Sequence, residues 1–480
     1  MQHDLAMRSI ALFGLALTGV LQIPQAIAQP SQFSQPTDPG VRLAATDNGT
    51  PQPLSGLGAD ELNFFQDGMA RFSFIEVVSG GSAVQGTGNG LGPRFNSNQC
   101  ASCHSQPNVG GSSPPQNPLI AVAGADGATN SVPWFEAPNG PVREARFVQS
   151  NGVKDGGVHN LFVVTGRTDA GTCSLAQPNF LPAGNPLTGQ GGNRNIVFRI
   201  PTPIFGAGLI EAIPDSAILA NAAANAATKT QAGVQGHANA ILGGNTNLSA
   251  NDGTITRFGW KAQNKSLLMF AGEAYNVEMG ISNQLFPQER DETPACRTYA
   301  TTPEDTNNMP PTVTANAMGV LSDIEAFANF MRMLAPPAPA PSTASTLNGR
   351  AQFVSVGCAL CHTPSFMTGR AISTGSSMNP SPALSYQQVN LFSDLLVHHM
   401  GQSLADGITQ GAAGPDEFRT APLWGVGQRV FFLHDGRARD LASAIRDHES
   451  QGSEANGVIQ RFNALSAGNQ QDVLNFLRSL

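Results

Sequence analysis

Two short runs constrain this chain more than anything else in it: Cys100-Ala101-Ser102-Cys103-His104 and Cys358-Ala359-Leu360-Cys361-His362. Each is C-x-x-C-H, the attachment signal for c-type haem. The two thiols form thioethers with the haem vinyl groups, and the adjacent histidine reaches the iron as proximal ligand. With 6 Cys and 9 His among 480 residues, chance supplies one match about 10⁻³ times per chain and two about 10⁻⁶ times. A redox dithiol needs no histidine and would sit in a thioredoxin-like βαβ context, which surrounds neither copy. Zinc would want four ligands, and no further cysteine or histidine lies close in sequence to either motif. The expected cofactors are two covalent haems c, bound by Cys100, Cys103, Cys358 and Cys361, with His104 and His362 on iron.

The compartment follows from a separate segment. Ile10 to Val20 is an uncharged apolar run, broken at Pro24 and followed by Ala26-Ile27-Ala28. It reads as a secretory signal over residues 1–28, cleaved near Ala28, and is too short for a comfortable membrane span. Met7-Arg8 makes a better start for such a signal than Met1, since Asp4 precedes Arg8. No later segment reads as transmembrane. Export together with covalent haem points to the periplasm. A formal charge of −8 excludes a generic nucleic-acid binder. Only 12% of residues are charged, whereas Gly (52) and Pro (34) are abundant, which favours many loops and short elements. Cys173 and Cys296 are left over; in an oxidising compartment they are most simply a disulfide, with buried free thiols as the alternative.

An internal duplication organises the chain. Phe95 to Ala101 matches Phe353 to Ala359, and Pro203-Ile-Phe-Gly-Ala-Gly208 matches Pro422-Leu-Trp-Gly-Val-Gly427. Phe258-Gly259-Trp260 sits where Phe432-Leu433-His434 sits, each followed by a leucine at 267 or 441. This reads as two related haem domains. The first is longer through Gly/Asn/Ala-rich stretches around 110–195 and 215–256, which read as loops or insertions. Ile324, Phe327, Phe330, Met331 and Leu334 share a helical face with Ser322 or Asp323 as N-cap. Pro336 to Pro341 stops that helix in a stiff, extended linker. Leu441, Ala444, Ile445 and His448 share another face with Asp440 as N-cap, and Val473 to Leu480 suggests a closing helix. Strands are expected near Leu161–Thr165 and Ile196–Ile200. The fold class is mainly α: two cytochrome c-like haem domains, 29–335 and 346–480, with long irregular loops, joined by a Pro-rich linker over 336–345.

Leu391 to Gly401, Leu404 to Gly407, Glu417 to Thr420 and Phe432-Leu-His-Asp-Gly-Arg437 carry a resemblance. The chain resembles the bacterial di-haem oxidoreductase family, also called thiol oxidoreductase-like, over roughly residues 60 to 480. That family is similar to the di-haem cytochrome c peroxidases and, more distantly, to the di-haem enzyme that matures the tryptophan-derived quinone of methylamine dehydrogenase. Where the family has Leu-His-Asp-Met-Gly, this chain has Val397-His398-His399-Met400-Gly401.

The resemblance implies roles. The peroxidases place a methionine ligand fourteen residues after the His of His-Asp-Gly; here that position, counted from His434, is His448. A bis-histidine C-terminal haem held by His362 and His448 follows, with Met400, His398 or His399 as alternative ligands; His434 is expected near a propionate. Asn276-Val-Glu-Met-Gly280 resembles the segment that carries the peroxidases' distal glutamate. Glu278 is thus the implied acid/base at the His104 haem, with Glu273 as rival. Peroxide cleavage needs such a group, since one proton leaves the first oxygen and another reaches the departing one. Trp260 falls near the tryptophan between the two peroxidase haems and is either a relay or core packing. His159 and His237 have no role. The implied activity is peroxidase-like: a small periplasmic donor, a cytochrome c or cupredoxin, feeds the C-terminal electron-transfer haem, and peroxide reacts at the N-terminal, peroxidatic one. The alternatives are a di-haem oxygenase using O₂ on an organic substrate and a pure electron-transfer cytochrome. Analogy with the peroxidases also suggests Ca²⁺ between the domains, although no loop has calcium spacing.

Overall fold

Gly68 and Gly349 mark the positions from which the architecture is built. In a computed structural model of the chain, each lies where two helix backbones touch. A Cβ on Gly68 would meet the Ala326 carbonyl oxygen at 2.3 Å, and one on Gly349 would meet that of Asp472 at 1.9 Å. The structure describes residues 35–42, 51–78, 87–125 apart from 93, parts of 127–195, then 196–240, 255–288, 304–305, 321–371 and 381–480. The expected signal segment, Cys173, Cys296 and His159 lie outside these.

The helices are α1 (Ala59–Phe72), α2 (Cys100–Cys103), α3 (Leu119–Ala125), α4 (Ala207–Glu211), α5 (Asp215–Ala223), α6 (Ala226–Ala232), α7 (Leu267–Met279), α8 (Asp323–Met333), α9 (Ala344–Val356), α10 (Gly401–Leu404), α11 (Leu441–Arg446), α12 (Asn456–Asn463) and α13 (Ala467–Ser479). Strands are short and pair in twos. β1 (Ile75–Val77) runs parallel to β2 (Thr87–Asn89). The antiparallel pairs join β3 (Arg94–Phe95) with β7 (Phe162–Val163), β4 (Glu144–Phe147) with β8 (Ile196–Arg199), and β5 (Gln149–Ser150) with β6 (Val153–Lys154). Later in the chain β9 (Phe366–Met367) pairs with β10 (Gln388–Val389), and β11 (Val397–His399) with β12 (Glu417–Arg419). Among the described residues helix outweighs strand, 37% to 12%, so the fold is mainly helical as expected.

The duplication reaches further than the sequence repeats. Helices α1 and α8 cross at Gly68, α9 and α13 at Gly349, and in each crossing a phenylalanine, Phe330 or Phe476, packs against the glycine. Gly208 lies under the Arg332 carbonyl of α8, and Gly427 lies under the Arg478 carbonyl of α13, so a Cβ on either would fall about 2 Å from backbone oxygen. The same two arginines hold matching carboxylates. Arg332 Nε donates to Glu211 Oε2 (2.7 Å), whose Oε1 accepts from the Leu267 amide (2.9 Å). Arg478 Nε donates to Asp38 Oδ1 (2.6 Å), whose Oδ2 accepts from the Leu441 amide (2.6 Å). Each clasp ties a closing helix to the first turn of the helix that faces its haem motif.

Caps fall where the sequence places them. Ser322 and Glu325 form a capping box at the start of α8, and Asp440 Oδ1 accepts from the Ser443 amide (2.7 Å) in α11. Both expected strands occur, at Phe162–Val163 and Ile196–Arg199. The stretch from 215, read as loop or insertion, carries α5 and α6. It is rich in alanine, the best helix former, and that outweighs its lack of an apolar period. Pro336 to Pro341 forms no helix or strand and lies against the C-terminal part of the chain: Ala340 donates its amide to Ser479 O (2.7 Å). A large apolar core gathers residues from α1, α4, α7, α8 and 366–396, and a second gathers Phe353, Val426, Phe432, Leu441, Phe462 and Phe476.

Gly349→Ala should destabilise the protein, because the about 1 kcal/mol gained in helix propensity is outweighed by an overpacking cost of about 1–3 kcal/mol or more. Gly468→Ala, in the same helix pair with nothing within 4 Å of the new Cβ, should be neutral or stabilising. Urea midpoints of the two variants check this; equal midpoints would count against the crossing.

Candidate functional site

Each C-x-x-C-H sits at the end of a crossing helix pair and opens on a cavity. Helix α9 stops at Gly357, in the left-handed region at φ 100°, and the chain turns through Cys358–Leu360 to His362. The Phe353 ring packs on the His362 ring at 6.2 Å, and Phe72 packs edge-on to His104 at 5.8 Å.

The C-terminal cavity has a volume of about 210 Å³ and is almost wholly apolar. Cys358, Cys361 and His362 line it, and so do His448, Met400, His434 and Trp260. His362 Nδ1 donates to Phe392 O (2.9 Å), and His448 Nδ1 donates to Ala444 O (2.7 Å). A carbonyl only accepts, so Nδ1 carries the proton in both rings and Nε2 keeps its lone pair, the form that binds a metal. Burial pushes the His362 pKa down to about 4, and lowers that of His448.

The other named histidines are engaged elsewhere. His398 is clamped at both nitrogens: Nδ1 by Glu454 Oε2 (2.8 Å) and Nε2 by Asp394 Oδ2 (3.0 Å). Burial opposes its charge, but the Cys361 sulfur and the Asp394 carboxylate overcome it and hold the pKa well above the usual value. His399 is half-exposed and pairs with Asp416 and Glu417. His237, read as having no role, also reaches Glu417, with Nε2 2.8 Å from Oε1. The His434 ring stacks on Phe418 at 4.1 Å, and burial pushes its pKa down to about 4. Of the sequence candidates in this half, His448 and Met400 remain with a ligating atom not engaged by a carboxylate.

The N-terminal cavity, about 100 Å³, is lined by Cys100, Cys103, His104, Asn96, Ala274, Glu278 and Glu144 among others. His104 Nδ1 donates to Gly111 O (3.1 Å). Burial pushes its pKa down to about 4 against the pull of the Gly111 and Thr202 carbonyls. Glu278, in the last turn of α7, accepts from the Asn96 side-chain amide and is hydrogen-bonded to Glu144. Burial, then the charge of Glu144, raises the Glu278 pKa well above the carboxylate range, so it carries a proton. Glu144 goes the other way: burial would raise it, and its ion pair with Arg146 overrides that. The pair is one acid and one carboxylate side by side. Glu273, the rival, is turned away onto Asn264 and Gln263. Glu144 and Arg146 sit in β4 with no motif around them, and nothing in sequence spacing signals that they reach Glu278.

Trp260 lines the C-terminal cavity. It is 7% exposed and packs with Ile200, Phe418 and Phe431 beside the C-terminal cavity. Its indole N–H donates to Ile200 O (2.9 Å), and the next residue, Pro201, lines the N-terminal cavity.

These residues fit haem on an observation unrelated to the motifs. Arg419 and Arg429 are buried at the C-terminal cavity, where burial pushes both guanidinium pKa values down to about 10. Arg429 Nε and Nη2 are buried with no hydrogen-bond partner among the described residues. An unpaired buried guanidinium calls for an anion, and haem propionates are of that kind.

The profile of the family described as "Di-haem oxidoreductase, putative peroxidase" matches residues 191–480, more than half the chain. The protein belongs to this di-haem oxidoreductase family. The match spans the second motif, Trp260, Glu278 and His448, whereas Cys100 to His104, Glu144 and Arg146 precede it. Among solved structures, this di-haem oxidoreductase is similar to hydrazine synthase of Kuenenia stuttgartiensis (21% identity over 34% of this chain and 56% of that one, TM-score 0.21). It is also similar to a MauG-like protein associated with microbial copper homeostasis (15%, over 52% and 78%, TM-score 0.27). A third likeness is to the diheme peroxidase BthA from Burkholderia thailandensis E264 (15%, over 47% and 65%, TM-score 0.26). The chain thus spans little more than half the length of the hydrazine synthase chain it matches. A search of curated proteins finds no match. None of the helices among the described residues is long and apolar enough to cross a membrane.

Asp394→Asn should cost about 3–5 kcal/mol, because it leaves a buried imidazolium short of a partner. The folded ring keeps its proton where the unfolded ring, near pH 6.5, has lost it. The penalty should therefore be complete below about pH 6.5 and shrink as pH rises through the higher folded value. Urea denaturation over a pH series upward from about 6 checks this; a penalty independent of pH would count against the charged clamp.

Proposed function

We propose that the protein is a periplasmic di-haem peroxidase with two cytochrome c-like domains, over 29–335 and 346–480, and two unequal sites. One difference carries the reading. Counted from the N-caps Ser266 and Asp440, His448 and Ala274 occupy equivalent positions, and both line their cavity. A histidine there would be a second protein ligand to the C-terminal haem iron. An alanine offers none, which would leave the N-terminal site open to substrate, with Glu278 one turn further along α7.

His104 and His362 would hold the irons, with Cys100, Cys103, Cys358 and Cys361 as the thioether residues and His448 as the second ligand of the C-terminal haem. When bound, haem supplies electron transfer at the C-terminal site and two-electron peroxide reduction at the N-terminal one. The chain's own residues move the protons. Peroxide entering beside Glu278 must lose a proton from one oxygen and gain one on the other. Glu144, held anionic by Arg146, accepts; Glu278, held protonated, donates. Because the two share a hydrogen bond, the pair resets by passing one proton between them. Trp260 offers a path between the sites through its bond to Ile200 O. A small periplasmic electron donor, a cytochrome c or cupredoxin, would reduce the C-terminal haem. A buried acid–carboxylate pair suits peroxide cleavage better than the apolar pocket an O₂-dependent oxygenase would use.

Two measurements test this. Glu278→Gln keeps size but removes the titrating group, and peroxide turnover should fall about 10²–10⁴-fold with haem content unchanged; turnover within a few-fold of wild type would remove Glu278 from the chemistry. His448→Ala should convert one low-spin EPR signal to high spin and leave the other haem as it was. An unchanged spectrum would hand the ligand position to Met400.

A further inference from the structure

Tyr275 is one buried, titratable side chain that the proposed peroxidase chemistry does not use. It lies on α7, three residues before Glu278, and is 2% exposed. Its hydroxyl is 3.0 Å from Asp323 Oδ2 and 3.1 Å from Glu76 Oε1. A phenol has one proton, so it can donate to only one of them. The second contact needs a proton from the other side. Glu76 supplies it: it is buried, its Oε2 has no hydrogen-bond partner, and burial next to Asp323 raises its pKa to about 8. Asp323 is the acceptor and is paired with Arg71. Asp305 stands behind it and accepts from the Asp323 and Ile324 amides at 2.7 and 3.0 Å. The order is Glu76 acid, Tyr275 hydroxyl, Asp323 carboxylate, Arg71.

The same phenol stands at the end of a row of rings that starts at the N-terminal site. Tyr275 packs edge-on to Phe327 at 5.0 Å, Phe327 to Phe72 at 6.0 Å, and Phe72 to His104 at 5.8 Å. A buried phenol with a carboxylate in line to take its proton, in packed contact with the His104 side of a redox centre, is arranged for one-electron oxidation.

We propose that Tyr275 is a redox-active tyrosine that stores one oxidising equivalent beside the N-terminal site and passes its proton to Asp323. Reduction of one peroxide to two waters takes two electrons, and Tyr275 supplies one of them to the oxidised site. Its O–H bond breaks as an O–H bond forms on Asp323 Oδ2, leaving a neutral tyrosyl radical. An electron from the donor later returns, and the proton comes back from Asp323. The oxidant, peroxide, is taken from the function proposed above; the hydrogen-bonded row does not depend on it.

The test separates the two. Holoprotein is oxidised by flash-quench with a ruthenium photosensitiser, which needs no peroxide, and is also freeze-quenched after peroxide addition. Both samples are read by EPR. Under flash-quench the wild type should give a tyrosyl signal that is lost in Tyr275→Phe and retained in Tyr386→Phe, an exposed tyrosine. Asp323→Asn, which keeps a hydrogen-bonding group but removes the proton acceptor, should also lose the signal. Haem absorbance should be the same in all variants. A signal that survives in Tyr275→Phe, or no tyrosyl signal in wild type, overturns the proposal whatever peroxide does. A flash-quench signal without any peroxide reaction upholds Tyr275 and overturns the peroxidatic reading instead.

Discussion

The close approach of two helix backbones at a glycine is the contact on which the rest of this molecule depends. At Gly68 and at Gly349 a carbonyl oxygen of the partner helix occupies the space a side chain would need. That approach lets Phe330 and Phe476 pack against the glycines and touch Phe72 and Phe353, which in turn lie against the histidines of the two haem motifs. Without it the wall behind each histidine would move outward by the width of a side chain, and a ligand set that must hold to within a fraction of an ångström would be lost.

The two copies of the frame are not identical. The arginine–carboxylate clasp recurs, yet in one copy the carboxylate is Glu211 and in the other it is Asp38, from a segment far away in the chain. Both clasps fix the first turn of the helix that faces the cavity. With that turn held, the residue eight positions after the cap is delivered to the same place. Histidine stands at that place in one copy and alanine in the other.

Burial then decides protonation. Glu278 and Glu144 are chemically alike and sit side by side in a poorly solvated cavity, where two negative charges cannot both persist. Arg146 lies on the Glu144 side and breaks the tie. A similar division recurs at Tyr275, where Arg71 pairs with Asp323 and burial leaves Glu76 to hold a proton. In both places one guanidinium pairs with one of two carboxyl groups.

What could be read from the sequence was what is local. The C-x-x-C-H runs, the caps at Ser322 and Asp440, and the faces of α8 and α11 all lie within a few turns of chain, where spacing and geometry are the same thing. The repeated Phe258 and Phe432 segments were legible for that reason. The sequence left open whether His398, His399, His448 or Met400 faces the cavity; tertiary packing engages the first two with carboxylates and leaves the last two. It also gave no sign of Glu144, Arg146 or the Glu76–Tyr275–Asp323 row, whose members are separated by tens to hundreds of residues and carry no periodic pattern. Chain order cannot encode a hydrogen bond between a strand and a helix 134 residues apart, such as the one from Glu144 to Glu278. Only the closed fold sets that distance, and the low-dielectric cavity it creates turns two ordinary glutamates into an acid and a base.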